Sequence, residues 1–204
     1  MKNIKFKKIN NKLNFKSLKK IELILKTENR TSIAANLSRK NFNKYLSLII
    51  KSKNFELFLI FFKKNVIGYA ILVKKPIYLI DNFTALKFNF FFDLLLNLNF
   101  ISIINIILSM FNLDNLIISK TKTKILSESL NLNLLAIEQK YQSKGFGKKF
   151  LEYIIKNTNF KSRYLTCETD NSKSTNFYIK KIKFKKIGNK IRFSKTLQVL
   201  AKRL

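Results

Sequence analysis

The chain has 204 residues, of which 47% are apolar, so it is long enough and apolar enough to fold around a hydrophobic core. Its 41 Lys and Arg residues outnumber 11 Asp and Glu residues, which gives a formal net charge of +30. Histidine is absent and Cys167 is the one cysteine, so histidine-based triads, histidine-containing zinc sites and internal disulfides are excluded. We therefore expect no metal, and any catalysis by Glu, Asp, Tyr, Lys, Ser or backbone groups.

The positive charge has two explanations. It could serve an anionic partner such as nucleic acid. The lysines, however, are spread along the whole chain, and Asn, Ile and Phe are also abundant, as in a chain written with A/T-rich codons. Composition favours this second explanation, and a nucleic-acid partner is not expected, although the charge would still attract any anionic substrate.

The first 75 residues predict a strand, two helices and a hairpin. Residues 3–9 alternate apolar and polar side chains, as a half-buried strand does. Residues 17–26, which start with Ser17, and residues 41–51 place apolar side chains at helical spacing. Two apolar runs then flank Lys63, Lys64 and Asn65, which predicts a β-hairpin whose second strand is closed by Pro76.

Residues 76–128 are rich in Phe, Leu, Ile and Asn and predict a helical insertion. Within it, residues 94–113 carry no charge and are long enough to span a bilayer. Four asparagines interrupt this segment, and buried Asn is costly in lipid, so we expect helices buried within a protein. The first twenty residues lack the apolar core of a signal peptide. We therefore expect a cytoplasmic protein without an integral membrane span.

The last 75 residues predict an alternation of strands and helices. Strands are expected at 131–138 and 163–169, each followed by a helix, to about residue 157 and over 171–181. Asn171 is well placed to cap the second of these helices. A final hairpin is predicted to turn at Gly188 and Asn189. Because no repeat or linker interrupts the chain, we expect residues 1–204 to form a single domain.

Two of the four glycines lie in the segment Gln142-Ser143-Lys144-Gly145-Phe146-Gly147, between a predicted strand and a predicted helix. A helix N-terminus offers unpaired N–H groups and a positive dipole end, and glycines let the backbone approach an anion closely. A phosphate or pyrophosphate site is therefore predicted, and a plain tight turn is the alternative. Lysines at 144, 148 and 149 add attraction, without an acid beside them.

The spacing excludes two common phosphate-binding motifs. A P-loop requires Ser or Thr after its lysine, whereas Lys148 is followed by Lys149. A dinucleotide fold requires a third glycine, which is missing. The segment instead fits the pattern (Q/R)xxGxG.

Three segments resemble the GNAT superfamily of N-acetyltransferases, in that family's order. The segment LLAIEQKYQSKGFGKKFLEYI resembles the family's acyl-CoA-binding strand, loop and helix. The segment YLTCETDNSKSTNFYIKKIKF resembles its later strand and helix, and VIGYAIL resembles the preceding hairpin strand. The resemblance covers roughly residues 55–75 and 130–195. It implies an α/β fold with a mixed, mostly antiparallel central sheet flanked by helices; the helical insertion before the acetyl-CoA-binding strand is a departure.

The resemblance also implies where acetyl-CoA, the acyl-donor cosubstrate, would bind. Strands 131–138 and 163–169 would splay apart to admit the pantetheine arm. The first would pair with it through backbone groups, and the glycine segment would hold the pyrophosphate. Asn171 either contacts the cofactor, caps its helix, or does both. The implied cofactor-binding residues are Ala136, Ile137, Glu138, Gln142, Ser143, Lys144, Gly145, Phe146, Gly147, Lys148, Asn171 and Tyr178.

Tyr178 matches the general acid of the family, which protonates the departing thiolate, and a core aromatic is its alternative role. A strand amide near Ile137 or Glu138 would hold the oxyanion. Glu138 and Glu168 are the candidate bases, each with a solvated strand-end charge as its alternative. Strand alternation sends Cys167 to the face opposite Glu168, so Cys167 is expected in the core.

The resemblance implies acetyl transfer to a primary amine, with a small molecule such as an amino sugar or amino acid as the expected acceptor. The alternatives are a protein N-terminus or lysine, a basic nucleic-acid-binding protein without catalysis, and a degenerate fold that binds acyl-CoA without turnover. The insertion at 76–128 is expected to cap the acceptor site or to form a homodimer interface.

Overall fold

A computed structural model describes residues 3–29, 32–74, 120–192 and 195–204. Pro76, the membrane candidate at 94–113 and most of the predicted insertion lie outside these ranges. The described part of the insertion is a helix, α3, at Lys120–Glu128. Over the described ranges, no helix is long and apolar enough to cross a membrane.

The N-terminal elements follow the predicted order. They are β1 (Ile4–Ile9), α1 (Phe15–Glu28), α2 (Arg39–Lys51), β2 (Phe55–Phe62) and β3 (Asn65–Val73). Helix α1 begins earlier than predicted. Its N-cap is Asn14, whose side chain accepts the Ser17 N–H at 2.8 Å, so Ser17 lies in the first turn and is not the cap.

The C-terminal elements begin after α3. They are β4 (Leu130–Ile137), α4 (Phe146–Asn157), β5 (Tyr164–Thr169), the short α5 (Ser172–Asn176), β6 (Lys185–Arg192) and β7 (Lys195–Arg203). A 3-10 turn, Gln139–Tyr141, follows β4, and a π turn, Phe177–Lys181, continues α5.

The predicted turn of the last hairpin is wrong. Gly188 and Asn189 lie inside β6, where they pair with Val199 and Gln198, and the two strands join beyond Arg192. The register shifts between Lys186 and Gly188. An isolated glycine in a strand is typical of such a bulge, which explains why it does not mark the turn.

The seven strands form one mixed sheet in the order β1-β2-β3-β4-β5-β7-β6. All neighbours are antiparallel except β4 and β5. Helices pack on both faces and bury two large apolar clusters. One face, here the α1 face, is covered by α1 and α2; the other, the α4 face, is covered by α4 and the π turn. The predicted mixed, mostly antiparallel sheet flanked by helices is confirmed.

Candidate functional site

Strands β4 and β5 separate soon after they begin. They pair at two positions, Leu130 with Leu165 and Asn131 with Thr166. Beyond these pairs, β4 follows β3 as far as Ile137, while β5 follows β7 as far as Thr169. The divergence leaves a gap between the C-terminal halves of two central strands.

Buried polar side chains hold the closed end of this gap. Ser129, Asn131 and Thr166 are all buried. The Ser129 and Thr166 hydroxyls lie 2.9 Å apart, and the Asn131 amide donates to Thr166 Oγ1 at 3.3 Å. These hydrogen bonds fix the point from which the two strands diverge.

The backbone of Ile137 faces the gap. Glu138 N–H donates to the Ile67 carbonyl on β3 at 2.9 Å, so that amide is part of the sheet. The N–H and C=O of one strand residue point to the same side, and those of the next residue point to the opposite side, so the Ile137 N–H and C=O point away from β3. The Ile137 carbonyl accepts the Gln142 side-chain amide at 2.7 Å. Of the three residues expected to pair with pantetheine, Ile137 is the one whose N–H faces the gap.

The loop between β4 and α4 contains two left-handed residues. Ser143 has φ +61° and Gly145, the N-cap of α4, has φ +79°. A Cβ at Gly145 would have no atom within 4 Å, so glycine is favoured here by conformation and not by crowding. The amides of the first turn of α4, from Phe146 to Lys148, have no acceptor within the helix and point out of its end.

Gly147 brings this helix end against the gap. A Cβ there would lie 3.2 Å from the Phe177 ring and 3.7 Å from Ile137 Cδ1. The first turn of α4 therefore packs directly on the gap-lining strand and on the π turn. Lys144, Lys148 and Lys149, the predicted anion-attracting lysines, are all exposed around it.

An acid that the sequence analysis missed also contacts this loop. Glu28, at the end of α1, accepts the Gln139 N–H at 3.1 Å and the Gln142 side-chain amide at 2.7 Å. Its two partners are 111 and 114 residues away, and no local pattern links them. The loop is lysine-rich in sequence but has a carboxylate beside it in space.

Tyr178 lies on the α4 face and is 7% exposed. Its ring packs against Phe177 at 5.2 Å and Phe184 at 5.3 Å between centroids. Burial raises the pKa of Tyr178 well above its ordinary value, and the neighbouring Cys167 adds to the shift. The phenol therefore stays protonated at neutral pH. Cys167 is buried, as predicted.

Asn171 acts as the expected helix cap. Its side-chain oxygen accepts the Ser174 N–H at 2.7 Å, at the start of the helix that leads to Tyr178. Its amide nitrogen is 3.4 Å from an Asp170 carboxylate oxygen. The cap fixes the short helix beside the C-terminal end of β5.

The two candidate bases lie on the other side of the sheet. Glu138 pairs with Lys20 of α1 at 2.9 Å and with Lys140 at 3.1 Å. Partial burial by itself would raise the pKa of Glu138, but the hydrogen bonds and charges of the two lysines outweigh it and lower the pKa. Glu168 pairs with Lys190 at 3.2 Å and, by strand alternation from Cys167, faces the α1 side.

A pocket of about 420 Å³ opens on the α1 face beside Glu138. Helix α1 lines it with Lys20, Leu23 and Thr27, and the 3-10 turn lines it with Gln139 and Lys140. Polar and apolar groups thus converge next to the end of β4. Across the described ranges, no group of three or more Cys, Asp or Glu side chains could hold a metal ion.

The sequence matches no protein-family model and no curated protein. The structure is similar to solved acetyltransferases along nearly the whole chain. A GNAT-family acetyltransferase from Elizabethkingia anophelis with acetyl-CoA bound has 15% identity and TM-score 0.52, with 100% of both chains covered. A GNAT-family acetyltransferase from Streptococcus pneumoniae has 11% identity and TM-score 0.55, covering 98% of this chain and 99% of that one.

A third similar structure is the ribosomal-protein-alanine N-acetyltransferase from Brucella melitensis, with 12% identity and TM-score 0.57 over 95% of this chain and 98% of that one. At these identities the likeness is one of fold. It agrees with the resemblance noted in three sequence segments, and the chain therefore has the fold of the GNAT acetyltransferases.

Proposed function

We propose that this chain is an acetyl-CoA-dependent N-acetyltransferase that acts on a primary amine. The carrying observation is the early divergence of β4 and β5 beside the start of α4. The gap presents the Ile137 peptide group, which can pair with an extended chain as a neighbouring strand would. The helix start next to it presents amides suited to a phosphate group.

Acetyl-CoA would lie along this path. Its pantetheine arm would donate to the second lone pair of the Ile137 carbonyl, which leaves the Ile137 N–H for the thioester oxygen. The N–H and C=O groups of the flanking Ala136 and Glu138 belong to the β3 ladder. The pyrophosphate of acetyl-CoA would take the outward amides of the α4 start. The residues assigned to that group are Gln142, Ser143, Lys144, Gly145, Phe146, Gly147 and Lys148. Gln142 would act by holding the loop, because its backbone N–H and its side-chain amide are bonded within the protein. The chemistry that acetyl-CoA supplies is a thioester whose acetyl carbon accepts a nucleophile.

The reaction forms a C–N bond and breaks the C–S bond, so one proton leaves the amine and one joins the thiolate. The buried Tyr178 phenol, protonated at neutral pH, would donate the proton to sulfur. Ile137 N–H would stabilise the thioester oxyanion, because the Glu138 amide is already bonded to β3. Tyr178 approaches from the α4 face, which leaves the α1 face for the amine.

The proton of the amine would leave through water held by a carboxylate on the α1 face. Glu138 is ionised but its lowered pKa makes it a weak proton acceptor, so it would orient a water molecule. Glu168, on the neighbouring strand, is the second candidate. Glu168 is paired with Lys190 much as Glu138 is paired with Lys20.

The acceptor proposed is a small molecule such as an amino sugar or amino acid. The pocket beside Glu138 lies on the α1 face, from which the amine would approach, and Lys20 and Lys140 also line it. A protein N-terminus or lysine is the alternative acceptor. The insertion at 76–128, within one domain of residues 1–204, would cap the acceptor site or form a homodimer interface.

The test is turnover. Purified full-length protein is incubated with acetyl-CoA and a panel of amino sugars, amino acids and N-terminal peptides, with free thiol and product mass as readouts. We expect acetylation of at least one amine, and a large loss with Tyr178→Phe. Binding of acetyl-CoA without turnover of any amine would favour a partner module. Binding of RNA without acetyl-CoA binding would favour the nucleic-acid alternative.

A further inference from the structure

We propose that Glu28 is a positioning residue that holds the phosphate-binding loop in place before acetyl-CoA arrives. This inference rests on the proposed function for its ligand. Glu28 ends α1, and each of its carboxylate oxygens accepts one hydrogen bond from the loop. Oε1 accepts the Gln139 N–H at 3.1 Å, and Oε2 accepts the Gln142 side-chain amide at 2.7 Å. Hydrogen bonds to an ionised acceptor are stronger than those between neutral groups.

Gln142 passes this restraint to the gap. Its Nε2 also donates to the Ile137 carbonyl at 2.7 Å, and its Oε1 accepts the Lys173 ammonium at 2.6 Å. Both donors and the oxygen of the amide are therefore engaged. Exchanging oxygen and nitrogen would place the oxygen against two acceptors and the NH₂ group against an ammonium, so the partners fix the orientation of the amide.

The Glu28–Gln142 clasp thus joins three elements: α1 through Glu28, β4 through Ile137, and α5 through Lys173. Ser143 and Gly145, both with positive φ, follow directly along the chain. A non-glycine residue such as Ser143 holds that conformation at a cost, and surrounding contacts must maintain it. The clasp supplies such contacts at the start of the loop.

The charge of Glu28 allows two possible roles to be distinguished by the direction in which acetyl-CoA affinity changes. If Glu28 acted only through its charge, it would repel the pyrophosphate, and removing it would tighten acetyl-CoA binding. If Glu28 positions the loop, removing it frees the loop. The entropy cost of ordering the loop on binding then weakens acetyl-CoA binding. The two roles predict opposite changes in affinity.

The experiment measures acetyl-CoA binding to the full chain by calorimetry. For Glu28→Ala we expect an affinity about tenfold lower, and for Glu28→Gln a smaller loss, because an amide keeps one acceptor. The matched control is Glu128→Gln at the end of α3, whose side chain is exposed and should leave affinity unchanged. The double variant, Glu28→Ala with Gln142→Ala, should lose less affinity than the sum of the losses of the two single variants, since both substitutions remove the same clasp.

Hydrogen exchange of the loop amides without ligand separates this inference from the proposed function. Glu28→Ala should speed exchange at residues 139–148 and leave the interior of α4 protected. If Glu28→Ala speeds loop exchange but the wild-type chain does not bind acetyl-CoA, the positioning role of Glu28 is supported and the proposed function is contradicted. Wild-type binding with equal or tighter binding by Glu28→Ala, and unchanged loop exchange, would overturn the positioning role while the proposed function stands.

Discussion

Gly147 lies against the ring of Phe177, so closely that a Cβ at position 147 would come within 3.2 Å of it. This contact packs the start of α4 on the π turn that carries Tyr178. Gly145, two residues earlier, has open space around it but φ +79°. The two glycines therefore have different physical roles: Gly147 permits close packing, and Gly145 permits a left-handed turn.

The packing role predicts a graded response at Gly147. Ala should change the free energy of unfolding little, because its gain in helix propensity of about 1 kcal/mol offsets a tight contact. Val, with two further carbons, should destabilise by about 1–3 kcal/mol. Urea unfolding measures both. Phe177→Leu should recover part of the loss in the Val variant, and a Gly147→Val protein as stable as wild type would contradict the contact.

Tyr178→Phe should lower kcat by about 100-fold or more and leave the KM for acetyl-CoA nearly unchanged, since only the proton donor is lost. The matched control is Tyr153→Phe, because Tyr153 is another tyrosine packed on the same core cluster. Steady-state kinetics with an identified acceptor provide the measurement. Equal kcat values for Tyr178→Phe and wild type would leave Tyr178 as a core aromatic.

Two carboxylates compete for the role of water-holding group, and their amide variants distinguish them. The variant of the residue that orients the water, Glu138→Gln or Glu168→Gln, should reduce kcat by about tenfold to 100-fold, because proton removal from the amine slows. The other should change kcat little. If neither variant alters kcat, the amine loses its proton without either carboxylate.

The Lys20–Glu138 pair should stabilise the fold in a pH-dependent way. The folded-state pKa of Glu138 is below its ordinary 4.5, so the contribution is present above that pH and is lost as pH falls through the folded value. Lys20→Met should lower the free energy of unfolding by about 0.5 kcal/mol at pH 7, since the pair is partly exposed. In urea titrations, the difference in the free energy of unfolding between wild type and Lys20→Met should be smaller at pH 3 than at pH 7. An equal difference at both pH values would show that it comes from packing and not from the ion pair.

The order of elements and the glycine loop could be predicted from sequence because both depend on neighbours along the chain. Apolar periodicity marks α2 and β3, and Asn171 is placed to cap its helix. The predicted start of α1 at Ser17 is wrong because Ser and Asn are both good N-caps. Where the chain enters the helix decides between Ser17 and Asn14.

Contacts between distant segments could not be predicted in the same way. The glycine of β6 lies at a register shift against β7, and that shift exists only once the strands pair. Glu28 reaches a loop more than a hundred residues away. Acids are scarce in this chain. The contacts of Glu28 in α1 and of Glu138 at the end of β4 follow from the packing of α1 on the sheet, which the sequence alone does not give.

The central claim, that the glycine loop binds the pyrophosphate of acetyl-CoA, is tested most directly at Gly145. Asn and Asp both tolerate a left-handed backbone and nearly match in size, and open space surrounds the position. They differ in charge, so comparing their acetyl-CoA affinities by calorimetry isolates electrostatics from backbone strain. We predict that Gly145→Asp binds at least about tenfold more weakly than Gly145→Asn. Equal affinities would place the pyrophosphate elsewhere.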